Sequence, residues 1–349
     1  MNFPKQYGQN KIWIIYNAWR RSAPPRRQDA GKPDPEGLRA EAAVEDEARC
    51  AVEALEALGH TPEVYAISSI LDLAVRINGT EKPKLVFNLA EGFRGSSGRE
   101  MNIAALFELL DLPYTGNTAK TLALAQDKIL TKRLFESAGI PTPAWTVYDG
   151  HLAPDTRALC FPLIAKPSCE DASIGIFAGG VFDSPEKLEK ALPGLFETYR
   201  QPVLVEEFID GREINAAVLE SGGKARVLPL SEILFDGLPS GEPRIAGYEA
   251  KWHEKSVFYT GTPAVCPACV EAALREKIED LGIRVFTLLG GKDYGRVDFR
   301  VDRAGNPYVL EYNPNPDISP ESGFVRSLRA GGLAFGDFAG VLLRNNGYE

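Results

Sequence analysis

The stretch from Arg296 to Asn315 constrains this chain more than any other. It reads as two antiparallel strands joined by a polar turn, Asp302 to Asn306, with Pro307 directly after it. Successive side chains on a strand point to opposite faces, so Arg296, Asp298 and Arg300 share one face. By the same rule Glu311 and Asn313 point together on the returning strand. Paired about that turn, Asp298, Glu311 and Asn313 converge, three oxygen-bearing side chains without a His or Cys. Such a set suits a hard cation, Mg2+, which commonly bridges substrate phosphates. Arg296 beside them is placed to steady a developing negative charge. Taken alone, the same residues also describe a solvated hairpin with its charges in water.

The remainder of the chain is large enough to give that hairpin a setting. With 349 residues, 44% of them hydrophobic, it holds material for two or three packed domains. The net charge of −9 and the lack of a long Lys/Arg tract argue against nucleic acid or an anionic membrane as the main partner. Met1 to Asn10 is polar, and the apolar run Ile12 to Tyr16 is only strand-length, so no signal peptide or membrane span is read and a cytoplasmic location is expected. Five scattered cysteines fit a reducing compartment better than a disulfide framework. Cys266 and Cys269 have the spacing of a zinc knuckle, but no second pair or nearby His completes it.

In chain order, Lys11 to Tyr16 is a first strand, followed by a Pro- and Arg-rich stretch, Arg20 to Gly37, of loop composition. A helix pattern runs from Glu41 to Leu58, then a strand (Pro62 to Ala66), a helix (Ile67 to Ile77) and a buried-type strand (Lys84 to Asn88). This alternation predicts a parallel sheet covered by helices, whose ligands sit beyond the carboxyl ends of the strands. Glu91, Arg99 and Glu100 fall at such an end, as substrate contacts or as ordinary charges at the start of the next helix. Ala125 to Lys128 opens another helix. Phe161 to Pro167 is a strand carrying Lys166, and the small-residue loop Ser168 to Ile176 after it is suited to close over phosphate. Ser184 caps a helix to Phe196, Pro202 to Ile209 is a buried strand, and Asp210 to Glu213 turns into a strand from Ile214 to Leu219. A long helix, Pro267 to Leu289, leads into the hairpin.

These segments, in this order, resemble the ATP-grasp superfamily and, within it, the D-alanine–D-alanine ligases. The resemblance runs from about Leu38 onward and is most specific in Leu112–Gly116, Asp127–Lys132, Ala165–Ile176, Val203–Glu213, Ala250–Lys251 and Arg296–Ser322. It implies an α/β chain of three domains, here 1–120, 121–205 and 206–349, with ATP held between the second and third. It implies ATP-dependent joining of a small carboxylate to an amine through an acyl phosphate, with ATP and two Mg2+ ions (Mn2+ as an alternative), in a homodimer. By resemblance, Lys128, Lys166, Glu170 and Ser173 contact phosphates, and Lys251 contacts nucleotide. Glu206, Glu207 and Ile209 bracket adenine, and Glu213 takes the ribose. Asp298, Glu311 and Asn313 hold magnesium, and Arg296 acts on the oxyanion with Lys251 and Ser173 as further catalytic groups. Ser322 holds the acceptor's carboxylate, and Glu91, Arg99, Glu100 and Asp317 border the substrates.

The departures from the family pattern concentrate in one half of the site. The first flap serine is Ala172, its usual tyrosine partner is Trp252, Glu91 replaces a histidine and Asp317 a glycine. The early glycine-rich signature is absent, leaving Glu41 or Glu45 as the nearest stand-in for its glutamate. The expectation is an intact nucleotide and metal half beside a rewritten substrate pocket. Two alternatives remain: D-alanine–D-alanine ligation itself, or nucleotide binding without turnover.

Overall fold

The computed structural model describes residues 11–17, 35–79, 82–93, 97–171, 173–253 and 255–348. The loop reading for Arg20 to Asp34, Ala172, and the side chains of Glu41 and Trp252 lie outside them.

The first unit contains β1 (Lys11–Asn17), α1 (Pro35–Ala57), β2 (Thr61–Ile67), α2 (Ile70–Gly79) and β3 (Leu85–Leu89). The three strands form the expected parallel sheet in the order β2-β1-β3. Both faces are covered, as parallel sheets require. Ile12, Ile14, Leu85 and Phe87 pack on Ala48, Ala51 and Leu55 of α1. Trp13, Ile15 and Val86 pack on Leu73 and Ile77 of α2 and on Ile103 and Phe107 of α3 (Glu100–Leu109). Helix α1 starts at Pro35, earlier than the Glu41 read from the sequence.

Next come α4 (Ala119–Gln126) and α5 (Lys128–Ser137). The helix expected to open at Ala125 is thus split at Asp127. Its side chain accepts the Leu130 N–H at 2.9 Å and so caps α5, which places Lys128 and Lys132 one turn apart on one side. A second sheet holds β4 (Trp145–Tyr148), β5 (Leu163–Pro167), β6 (Val181–Phe182) and, after α6 (Pro185–Tyr199), β7 (Val203–Glu207), in the order β4-β7-β5-β6. Ser184 caps α6 as expected.

The third sheet is built on β8 (Arg212–Ser221), with β9 (Lys224–Val227) and β10 (Ser231–Ile233) following it. Two short helices, α7 (Tyr248–Trp252) and α8 (Val257–Thr260), precede β11 (Ala264–Val265) and α9 (Ala272–Leu288). The hairpin strands are β12 (Tyr294–Val301) and β13 (Pro307–Asn313), and α10 (Gly323–Ala330) and α11 (Phe335–Asn345) close the chain. The order is β11-β10-β8-β12-β13, with β9 on β8. Ile214, Ala216, Val297 and Phe299 pack on Ile278, Leu281 and Val285 of α9. Alternation therefore turns Glu213, Asn215, Arg296, Asp298 and Arg300 to the opposite face.

The hairpin register corrects the simple pairing expected from its turn. Val301 lies opposite Pro307, Arg300 opposite Tyr308 and Phe299 opposite Val309. Continued unchanged, this register would set Leu310 against Asp298 and send Glu311 to the α9 side. Instead Leu310 is left over in a bulge, Glu311 pairs with Asp298 and Asn313 pairs with Arg296. A bulge inserts one residue and re-aims every side chain beyond it. The convergence of the acids depends on this bulge.

A buried amide ties the first unit to the hairpin. Asn117, 2% exposed, donates to the carbonyls of Tyr294 at 2.7 Å and Pro314 at 2.5 Å, and accepts the Lys292 N–H at 2.8 Å. Truncation strands these backbone groups away from water. We predict that Asn117→Ala lowers unfolding free energy by about 2–4 kcal/mol in urea titration; a loss below about 1 kcal/mol would show that water replaces the amide freely.

Candidate active site

Asp298 sits at the centre of the polar face of the third sheet. Arg296 donates to it through both arms, Nε to Oδ1 at 2.7 Å and Nη2 to Oδ2 at 2.8 Å. Asn215 of β8 adds a bond to Oδ1 at 2.7 Å, and Asn313 of β13 one to Oδ2 at 2.9 Å. Charge-assisted forks of this kind fix the plane of a carboxylate. Glu311 faces Asp298 across the ladder and lies 3.5 Å from the Lys128 ammonium. Burial works against its ionisation, but Lys128, Lys166, Lys251 and Arg296 overcome it and pull the carboxyl down to about 2.

Among the described residues no group of three or more His, Cys, Asp or Glu side chains could by itself hold a metal ion. The donors here are two carboxylates and the Asn313 amide, all oxygen. Both carboxylates lie on one face of the ladder, and Glu311 is held ionised. This donor chemistry fits Mg2+, which takes few protein ligands and completes its shell with water and phosphate.

Around this centre the cations come from the second unit. Lys128 is buried and donates to the Glu170 carbonyl at 2.6 Å, with the Asp171 carboxylate at 3.8 Å. Glu170 also accepts from Gln201 at 2.9 Å. Ser173 has a left-handed backbone, φ 61°, and its hydroxyl reaches the Ala246 carbonyl at 3.3 Å, joining the flap to the segment before α7. Lys166 and Lys132 flank the buried Glu206 at 2.5 and 2.6 Å. Burial opposes the charge on Glu206, yet the two lysines hold its carboxyl below the usual range. Glu207, next along β7, points the other way and accepts the Cys160 N–H at 2.7 Å.

Arg300 links the segment assigned to the nucleotide. It donates to the Ile209 carbonyl at 2.9 Å, the Gly211 carbonyl at 3.1 Å and Glu213 at 3.1 Å. Burial raises the Glu213 carboxyl in spite of that contact. Lys251 is exposed on α7, close enough that its charge acts on both Glu213 and Glu311.

Acidic groups line the side nearest the first unit. Glu47, 3% exposed on α1, accepts the Ile318 N–H at 3.0 Å. Burial, then Glu91 and Asp317, push its carboxyl well above the ordinary range. Glu91 keeps some exposed surface, but its carboxyl lies deep, and burial followed by Asp317 and Asp171 pushes it up to about 8. Glu100 accepts from Asn315 at 3.0 Å and is likewise raised, first by burial and then by Asp171 and Glu91. Asp317 is exposed and accepts the Ser319 N–H at 2.7 Å. Ser322, buried, caps α10 through the Val325 N–H at 3.3 Å.

Many of the residues singled out in the sequence are therefore joined, by contact or by the field of their charges, to the Asp298–Glu311 pair. Arg99 is exposed at the start of α3, and its side chain makes no hydrogen bond or ion pair among the described residues. Glu45 is exposed, whereas Glu47 enters the cleft wall. Glu47 interrupts the apolar stripe of Val44, Ala48 and Ala51, and that interruption was a usable signal. Asn215 and Lys132 were also missed. One is a polar residue inside an apolar strand, and the other repeats Lys128 one helical turn on.

The chain is similar to several known proteins. The family described as D-ala D-ala ligase C-terminus matches residues 134–344. An uncharacterized protein, y4sG, of Sinorhizobium fredii is 34% identical over 259 residues, 74% of this chain and 73% of that one. D-alanine–D-alanine ligase of Bordetella pertussis is 35% identical over 254 residues, 71% of this chain and 75% of that one. The solved D-alanine–D-alanine ligase of Bacillus anthracis complexed with ATP shares the fold, with TM-score 0.73 over 97% of each chain at 19% identity.

The Glu91 carboxyl sets a pH dependence. Unfolded, it titrates at about 4.3; folded, it is pushed up to about 8. In that window the native state holds a proton the unfolded chain has lost, so stability falls as pH rises through it and levels off above. We predict that the parent loses several degrees more of melting temperature than Glu91→Gln between about pH 5 and pH 8. Equal losses in the two proteins would contradict the burial of this carboxyl.

Proposed function

Because this chain belongs to the D-alanine–D-alanine ligase family of ATP-grasp, ATP-dependent carbon–nitrogen ligases, we propose that it joins a small carboxylic acid to an amine through an acyl phosphate. The observation that carries the reading is the gathering of Arg296, Asp298, Glu311 and Lys128 on one face of the third sheet. Phosphoryl transfer needs clamped charge and in-line placement more than a protein nucleophile.

The roles are those that the family resemblance assigns. Lys128, Lys166, Glu170, Ser173 and Lys251 hold the triphosphate, Glu206, Glu207 and Ile209 the base, and Glu213 the ribose. Magnesium, two ions with Mn2+ a workable substitute, would be held by Asp298, Glu311 and Asn313 and would offset phosphate charge. Arg296, fixed on Asp298, presents its positive charge to the oxyanion that forms when the amine displaces phosphate. Ser322 at the start of α10 offers a hydroxyl and the helix N-terminus to the acceptor's carboxylate. The units 1–120, 121–205 and 206–349 each centre on one sheet, the last boundary falling within β7. Five free cysteines support a cytoplasmic location, and a homodimer completes the reading.

The substrate half is where we place the divergence. Glu47, Glu91, Glu100 and Asp317 lie together on the side of Arg296 nearest the first unit, the three glutamates raised by burial and by neighbouring carboxylates; an added substrate ammonium would relieve that repulsion and let them ionise, which favours a diamino substrate over D-alanine. A second reading, D-alanine–D-alanine ligation itself, is supported by the Bordetella relatives at about 35% identity. No helix among the described residues is long and apolar enough to cross a membrane.

ADP release with Mg2+ and ATP, screened over D- and L-amino acids, diamino acids and small acids with mass analysis of products, tests the proposal. An amide product with diamino acids ahead of D-alanine is expected. D-alanine in first place selects the second reading, and ATP turnover with no amide product overturns both. Glu311→Ala should lower turnover by about 10²-fold or more with circular dichroism unchanged; a parental rate removes the metal assignment.

A further inference from the structure

We infer that Asn215 is a positioning residue that sets the orientation of the Asp298 carboxylate for the metal. The inference rests on the reading above that Asp298 binds the cation. Asn215 is paired directly with Asp298 between β8 and β12, and Asp298 with Glu311 between β12 and β13. On the other side Asn215 is paired with Ser231 of β10. Directly opposed residues project to the same face, so Ser231, Asn215, Asp298 and Glu311 form one row across four strands.

Within that row Asn215 supplies what the hairpin lacks. Arg296 grips both Asp298 oxygens from its own strand, and Asn313 holds Oδ2 from β13. From β8, the bond that reaches the carboxylate is the one from Asn215 Nδ2 to Oδ1 at 2.7 Å. Asp298 is thereby held from three adjacent strands, against rotation about its own side chain. The donor is neutral, so it fixes the carboxylate without cancelling the negative charge that attracts a cation. A lysine there would compete with the metal, and an aspartate would repel Asp298. On its own face of β8 Asn215 lies between Glu213, which bonds Arg300, and the buried apolar Ala217 and Leu219, so it is the neighbour on that strand placed to reach Asp298. Groups that orient a metal ligand without touching the metal typically change affinity by about 10–100-fold when removed.

The test reads metal binding apart from turnover. Mn2+ affinity is measured by electron paramagnetic resonance on the full chain with ADP present, for the parent, Asn215→Ala, Ser231→Ala and Asp298→Asn. Ser231 serves as the control because its buried hydroxyl, in the same row, has no hydrogen-bond partner among the described residues. Asn215→Ala should weaken Mn2+ binding by about 10-fold with nucleotide affinity in the absence of metal unchanged. Ser231→Ala should bind Mn2+ like the parent. Parental Mn2+ affinity in a folded Asn215→Ala overturns the inference, and so does an equal loss in Ser231→Ala. Parental affinity in Asp298→Asn shows instead that the metal reading itself has failed. If Asn215→Ala does not fold, Asn215→Ser, which keeps a polar group too short to reach Oδ1, takes its place with the same expected outcome.

Discussion

Two carboxylates placed face to face, Asp298 and Glu311, set the terms on which the rest of this structure is built. Like charges directly opposed on a ladder repel, and burial adds a desolvation cost to each. The fold offsets this with positive groups brought from different places. Arg296 comes from the hairpin itself, Lys128 from α5 and Lys166 from β5. The hairpin therefore cannot hold its acids alone. It needs Lys128 and Lys166 of the second unit packed against it.

The same logic explains the layering. The α9 side of the third sheet is apolar and closes a core around Val297, Phe299 and Val309. That core fixes the register of β8, β12 and β13 to within one residue, because a slip would bury Arg296 and Asp298 in it. Leu310 is the single exception, and its bulge lets a hairpin with an ordinary turn present both acids on one face. At the other end, Tyr294 packs on Phe324 and Phe338, so α10 and its capping Ser322 are positioned by the same strand that carries Arg296.

Much of this was legible in the sequence where the signal is local. The hairpin, the parallel strands of the first unit and the Ser184 cap all follow from periodicity and capping chemistry. What the sequence concealed was set by partners distant along the chain. Asn215 looks like an irregularity in an apolar strand until β8 is placed beside β12. Glu47 looks like one more helix charge until Asp317 and Ile318 fold against it. The break at Asp127 was hidden because Ala125 to Lys128 reads as continuous helix, with the cap bond to Leu130 as its cause. A bulge such as that at Leu310 leaves no mark in an alternating pattern, and the right convergence was expected from the wrong register.

The most direct measurement is a crystal structure of the protein with ADP and Mg2+. Metal is expected at about 2.0–2.1 Å from oxygens of Asp298, Glu311 and Asn313, with Leu310 unpaired and Arg296 beside the phosphate. Metal bound elsewhere, or a regular hairpin with Leu310 opposite Asp298, would contradict it.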